Sequence, residues 1–315
     1  MSARPGTEQA RPSATGPDAP YGPQGRSPWL DIDWREHQRW VIVDGRPVNV
    51  IELGGANAAG QPLVFVHGLS GSWQNWLEQL PVLAADHRVV ALDLPGFGHS
   101  PMPAEPISIA GYARLLDHLF DELQIDAAAV VGNSMGGFIA AELAIAFPQR
   151  VERLVLVSAA GVSTYDDPRV RRAMPTLRLL EGALTAGAVR VAGRADKLAL
   201  RPRLRRAALR MVVAHPERLP ATLAAEQMRG AGTPGFMAAF TSILDYDVRE
   251  RLPEIACPTL IVWGDSDRLI SVGDADVFAE LVPNSRKVIF ADTGHMSMLE
   301  RPAAFNALLE DFLSE

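Results

Sequence analysis

A serine with a glycine two residues to either side, Gly132-Asn133-Ser134-Met135-Gly136, stands directly after an apolar run at 127–131 and opens a helical pattern at Met135. A sharp turn from a buried strand into a helix crowds its own apex, and glycines at those two places let the backbones approach without Cβ clashes. The Ser134 hydroxyl would then project from the carboxyl edge of a sheet, over a helix N-terminus that favours negative charge. A serine hydroxyl attacks a carbonyl only when a base takes its proton, and that base needs a partner to fix its tautomer. Of the seven histidines, His295 in Thr293-Gly294-His295 lies just past the last apolar run, at 288–291, and so at the same sheet edge. His99, after Gly98, is a loop alternative. Trp263-Gly264-Asp265-Ser266-Asp267 follows the preceding run, and either Asp265 or Asp267 could reach the histidine. His67 has no second histidine or acid at metal-ligand spacing, so no metal site is expected there.

The elements that must carry these groups are legible as continuous apolar runs at 63–66, 89–92, 127–131, 154–157, 259–263 and 288–291, the pattern of parallel strands covered on both faces. Helical spacing fills the gaps. Ser108 caps a stretch reaching Gln124, Met135 to Phe147 ends at Pro148, and Pro302 opens a last helix to Leu313. The alternation predicts a doubly wound α/β sheet. Before it, apolar stretches at 40–43 and 48–53 flank Asp44-Gly45-Arg46-Pro47, a hairpin, and Trp29, Trp34 and Trp40 are expected to cover one end of the sheet. About 100 residues separate the run ending near Ser158 from the one at Thr259, far more than an ordinary connection, so a small helical cap is expected at 163–245 and the core at 29–162 and 246–315. Between Thr164 and Arg229 thirteen Arg and one Lys face six acids, a local +8 that leaves −15 on the remainder, so cap and body should attract. Residues 1–28, with six prolines, four glycines and no periodic apolar face, read as a disordered tail.

Composition narrows the function classes. The chain of 315 residues, 48% hydrophobic and 21% charged, excludes collagen, coiled coil and wholesale disorder. No window nears the ~18 uninterrupted apolar residues of a spanning helix, and the first 28 lack a signal peptide's apolar run, so the expectation is a cytoplasmic protein without stable membrane insertion. A single cysteine, Cys257, forbids an intrachain disulfide and any cysteine-built metal cluster. The net charge of −7 offers nucleic acid no overall positive field.

From about residue 40 onward these residues resemble the α/β-hydrolase family: an N-terminal hairpin, a nucleophile elbow, a helical cap after the sixth strand, and an acid and histidine late in the chain, in the order Ser, Asp, His. The resemblance implies the α/β-hydrolase fold, a mostly parallel doubly wound sheet with an inserted helical cap. In that family the acid stands three residues after the glycine of the Gly264 turn, which implies Asp267. Phe65-Val66-His67-Gly68-Leu69 resembles the family's oxyanion loop and implies that the amides of Leu69 and Met135 receive the developing charge, each such donor being worth ~3–4 kcal/mol. The segment 93–100 resembles the loop after the family's fourth strand and is expected to form one wall of the site. Its Gly96-Phe97-Gly98 lacks the third glycine of a dinucleotide fingerprint, so no cofactor is implied. Ser134 departs from the dehalogenases and soluble epoxide hydrolases of this fold, which place aspartate at the elbow. The elbow and the 264–268 turn are similar to the carbon–carbon hydrolases that split dienoate ring-cleavage products. Those usually carry a tryptophan after the histidine, where this chain has Met296, and further glycines where it has Leu69-Ser70-Gly71-Ser72. The expectation is a cofactor-free, metal-free serine hydrolase acting on a small or medium acyl ester, with Ser134 as nucleophile, His295 as base and Asp267 as its orienting acid. Met135, Met296 and Met298 would shape an adaptable acyl slot. The alternatives are carbon–carbon hydrolysis of a dienoate, and a non-catalytic ligand-binding protein on the same fold.

Overall fold

The computed structural model describes residues 19–55, 58–163 and 168–315. Eight strands form one sheet in the order β1-β2-β4-β3-β5-β6-β7-β8. The hairpin β1 (Gln38–Val43) and β2 (Arg46–Leu53) turns at Asp44-Gly45, both at positive φ, and β2 runs antiparallel to β4. The remaining strands, β3 (Leu63–Val66), β4 (Val89–Leu92), β5 (Ala128–Asn133), β6 (Val151–Val157), β7 (Thr259–Gly264) and β8 (Ser285–Phe290), are mutually parallel. Every residue of β3, β4, β5 and β7 is buried, which is why these strands read as unbroken apolar runs rather than alternations.

Helices cover both faces. Among them, α1 (Ile109–Glu122) is N-capped by Ser108, whose side chain accepts the Gly111 N–H, and α2 (Met135–Ala146) is buried along almost its whole length. The chain then leaves the sheet after β6 for α3 (Pro168–Ala192), α4 (Ala195–Ala199), α5 (Pro202–Leu209), α6 (Ala221–Arg229) and α7 (Phe236–Leu244), and returns at β7. Two further helices, α8 (Gly273–Leu281) and α9 (Pro302–Ser314), flank the last strands. No helix among the described residues is long and apolar enough to cross a membrane.

From β3 the chain steps to β4 on one side and then crosses to β5 on the other, so the winding direction reverses between β3 and β5. Crossovers diverge at such a point and leave a crevice at the carboxyl ends of the strands.

Three expectations need correction. Residues 1–18 of the proposed tail lie outside the described residues, but 19–28 pack on the body: Tyr21 is 7% exposed, its hydroxyl donates to Glu300, and Ser27 donates to Glu78. The tyrosine and serine act through partners far away in the sequence, which leave no periodic signature. Of the three tryptophans, Trp29 is buried, but Trp40 is 52% exposed because β1 is an edge strand and this residue points outward. The 93–100 segment does not wall the cavity. It holds the insertion instead, with the Gly235 N–H donating to the Gly96 carbonyl at 2.9 Å.

Candidate active site

Three strands deliver the expected groups to one edge of the sheet. Ser134 follows β5 at φ 57° and ψ −118°. Its N–H donates to the Val157 carbonyl, and its own carbonyl accepts from Phe138 and Ala160, so backbone hydrogen bonds hold this strained residue from both sides. The two flanking glycines are there for space. A Cβ on Gly132 would lie 2.2 Å from the Gly136 carbonyl oxygen, and one on Gly136 would lie 2.1 Å from that of Val66. The start of α2 therefore sits directly on the end of β3.

His295 follows β8, and its Nδ1 lies 2.7 Å from Asp267 Oδ2, with both side chains buried. The other Asp267 oxygen accepts the backbone N–H groups of Leu269 at 2.8 Å and Ile270 at 3.1 Å. A carboxylate only accepts, so Nδ1 carries the proton and Nε2 keeps a free lone pair. Asp265 is exposed and turned elsewhere, accepting from Ser266 and Thr293. Geometry thus brings Asp267, and not Asp265, to the imidazole.

Ser134 and His295 line one cavity of about 440 Å³, together with Leu69. Gly68 is pressed on the elbow, its missing Cβ being 3.0 Å from that of Ser134, so the 67–69 loop packs directly on the Ser134 turn. Among the described residues neither the Leu69 nor the Met135 amide donates to a backbone carbonyl: Leu69 opens the 68–71 turn, and Met135 heads a helix, where N–H groups have no intrahelical acceptor. His67 is structural. Its Nε2 accepts the Leu94 N–H at 3.0 Å and its Nδ1 donates to the Gly68 carbonyl at 2.7 Å, while burial holds its pKa below the ordinary histidine value.

The insertion roofs the cavity with apolar groups. Phe236, Phe240 and Ile243 fall at i, i+4 and i+7 on α7 and form one stripe toward the cavity. Val191, Leu209, Val212 and Met228 complete it. Met296 lines the cavity as expected, but Met135 and Met298 are absent from its lining and wholly buried in the core. Among the described residues no Arg or Lys lines the cavity. The expected attraction to the body reaches direct contact at Asp292, beside His215 at 2.6 Å and Arg218 at 3.6 Å.

Two contributions were invisible in the sequence. The Asn133 amide donates to the carbonyls of Val157 at 3.1 Å and His295 at 3.3 Å, tying the elbow to the histidine loop. Asn75 Nδ2 donates to Gln227 Oε1 at 2.6 Å across the cavity wall, joining core to insertion. Neither residue carries a local signal, since each acts on a chain segment far away in sequence.

Comparison with known proteins agrees with this architecture. The chain is 31% identical over 296 residues to the 2-hydroxymuconate semialdehyde hydrolase of Pseudomonas sp. (strain CF600), covering 88% of this chain and 94% of that one. Among solved structures, the enol-lactonase from Burkholderia xenovorans LB400 superposes with a TM-score of 0.73 at 26% identity, covering 88% of this chain and all (100%) of that one. An N-acyl homoserine lactone degrading enzyme superposes with a TM-score of 0.69 at 27% identity, over 87% of this chain and 100% of its own. The family model described as the alpha/beta hydrolase fold matches residues 61–302, and with the eight-stranded sheet and its helical insertion this chain belongs to that family.

Proposed function

We propose that this hydrolase is a cofactor-free serine esterase or lactonase that cleaves a neutral substrate with an apolar acyl part through an acyl-enzyme. The observation that carries the reading is the Asp267–His295 pair ending at the same cavity as Ser134, beneath an apolar roof with no described cation. His295 Nε2 takes the Ser134 proton as Oγ bonds to the substrate carbonyl carbon. The tetrahedral oxyanion is received by the Leu69 and Met135 amides. As the carbonyl re-forms, the alkoxide leaves with the proton from His295. Water, deprotonated by the same imidazole, then attacks the acyl-enzyme and releases the acid, returning the proton to Ser134. Asp267 stays ionised throughout and stabilises the imidazolium.

Carbon–carbon hydrolysis of a dienoate is the second reading, favoured by the 31% identity to a 2-hydroxymuconate semialdehyde hydrolase over 94% of its length. The largely apolar lining speaks for the ester, because a dienoate carboxylate would meet no cation among the described lining residues. The test compares kcat/KM for medium-chain p-nitrophenyl esters, a neutral lactone and a ring-cleavage dienoate on one preparation, with Ser134→Ala as blank. The esters or the lactone should lead. A dienoate ahead of both by tenfold would move the assignment to carbon–carbon cleavage. Labelling of Ser134 by a fluorophosphonate separates either enzyme from a non-catalytic binder. Asp267→Asn should lower kcat by about 10⁴ through the wrong histidine tautomer, and Asp265→Asn by far less.

A further inference from the structure

Outside the groups assigned to chemistry, one buried carboxylate gathers three separate parts of the chain. Glu300 is 0% exposed. Its Oε2 accepts from the Tyr21 hydroxyl at 2.6 Å and the Ala214 N–H at 2.9 Å. The Gly294 N–H reaches Oε1 at 3.1 Å and Oε2 at 3.0 Å, and the Met296 N–H reaches Oε1 at 3.3 Å. Gly294 and Met296 are the two chain neighbours of His295. Ala214 belongs to the connection between α5 and α6, where the Val212 carbonyl accepts the His295 N–H at 3.1 Å. The histidine loop is therefore suspended between this carboxylate and the insertion.

The N-terminal segment closes the arrangement. Besides donating to Glu300, the Tyr21 oxygen accepts the His215 N–H at 3.0 Å, and the Gly22 N–H donates to the Glu300 backbone carbonyl at 2.7 Å. The Tyr21 ring lies under two guanidinium groups, those of Arg218 at 4.4 Å and Arg301 at 4.9 Å. Arg301 in turn donates to the Ala291 and Asp292 carbonyls and to Thr293 Oγ1, the stretch that leads from β8 into His295, and to the Ala19 carbonyl. Arg218, Arg301, His215 and Asp292 are the charged and titratable groups around Tyr21 and Glu300.

We infer that Tyr21 and Glu300 are positioning residues for His295, and that residues 19–22 form a latch holding the histidine loop and the insertion in one pose. This rests on His295 being the base. Without the Tyr21 hydroxyl, the buried carboxylate loses its one side-chain donor and must draw harder on the amides around His295, which displaces the loop relative to Ser134. Displacements of ångström size at a reacting group cost rate without loosening substrate binding.

The experiment uses the full chain with Tyr21→Phe, which keeps the ring between the guanidiniums and removes only the hydroxyl, and Glu300→Gln as a second variant of unchanged shape. Ser27→Ala is the control, since Ser27 anchors the same segment on Glu78 at 2.7 Å away from the histidine loop. Turnover is expressed per Ser134 titrated with fluorophosphonate. Both latch variants should lose about tenfold to a hundredfold in kcat, with KM inside about twofold. The far-downfield proton resonance of the Asp267–His295 hydrogen bond should shift or broaden in both. Ser27→Ala should leave kcat and that resonance as in the wild type, even where its melting midpoint falls. Unchanged kcat per titrated site together with an unchanged resonance in Tyr21→Phe and Glu300→Gln would overturn the proposal, as would an equal loss of kcat in Ser27→Ala. Were Ser134 not the nucleophile, the wild type itself would take no label, while the resonance would still report on the latch.

Discussion

At Ser134 the backbone holds φ 57° and ψ −118°, which costs a residue bearing a Cβ roughly 1–3 kcal/mol. The cost belongs to the Cβ and not to the hydroxyl. Ser134→Ala should therefore keep the wild-type melting midpoint while losing turnover, and Ser134→Gly should lose turnover yet raise stability by about 1 kcal/mol; parallel thermal melts of the three proteins check this. His67 makes a second residue-level prediction. Burial lowers its pKa in the native protein, whereas the unfolded chain takes its proton below about 6.5. In the window beneath that value the unfolded state binds more protons, so stability should fall as pH drops from 6.5 toward the depressed native value. Denaturant titrations across this range should show that slope, and His67→Gln should flatten it. The residue types of the proposed triad were readable because the chemistry demands a nucleophile, a base and an acid. Residue chemistry left Asp265 and Asp267 open, and the family spacing three residues after Gly264 pointed to Asp267, the carboxylate that the 264–270 turn sets 2.7 Å from His295 Nδ1.

The Ser134 turn and the loop proposed to hold the oxyanion pack as one element pair. Gly136 touches the end of β3 with no room for a methyl, its Cβ position lying 2.1 Å from the Val66 oxygen, whereas the Cβ position of Gly68 lies 3.0 Å from the Ser134 Cβ and needs a smaller shift. Gly136→Ala should therefore destabilise the protein by about 3 kcal/mol or more, as forced overpacking against backbone does. Gly68→Ala should fold and instead move the Leu69 amide off the elbow, lowering kcat by about tenfold to a hundredfold with little change in melting midpoint. Calorimetry beside steady-state kinetics separates the two effects. Strands β3, β4, β5 and β7 and helix α2 were legible because their apolar runs are buried all round. The stripe of Phe236, Phe240 and Ile243 is a helical pattern too, but nothing in it announces a cavity instead of a core, since both bury the same side chains.

For the whole molecule, charge and shape point to the same substrate character. The segment 164–229 carries a local +8 in a chain of −7, yet no Arg or Lys is found among the described residues that line the cavity. A carboxylate buried there would find no partner among the described cations, so a p-nitrophenyl ester ending in a methyl should exceed one of equal length ending in a carboxylate by tenfold or more in kcat/KM. The reverse order would mean that a cation swings into the cavity on binding. What the sequence by itself determined is whatever depends on neighbours a few residues apart: apolar runs that make parallel strands, the hairpin turn at Asp44-Gly45, the capped helices, and the tight turn at Ser134 that its own glycines permit. The tertiary structure alone decided the Asn75–Gln227 bridge and the seat of Tyr21 on Glu300, 279 residues away. Each joins side chains whose separation along the chain carries no periodicity, and each is specified only once the sheet has brought their segments together.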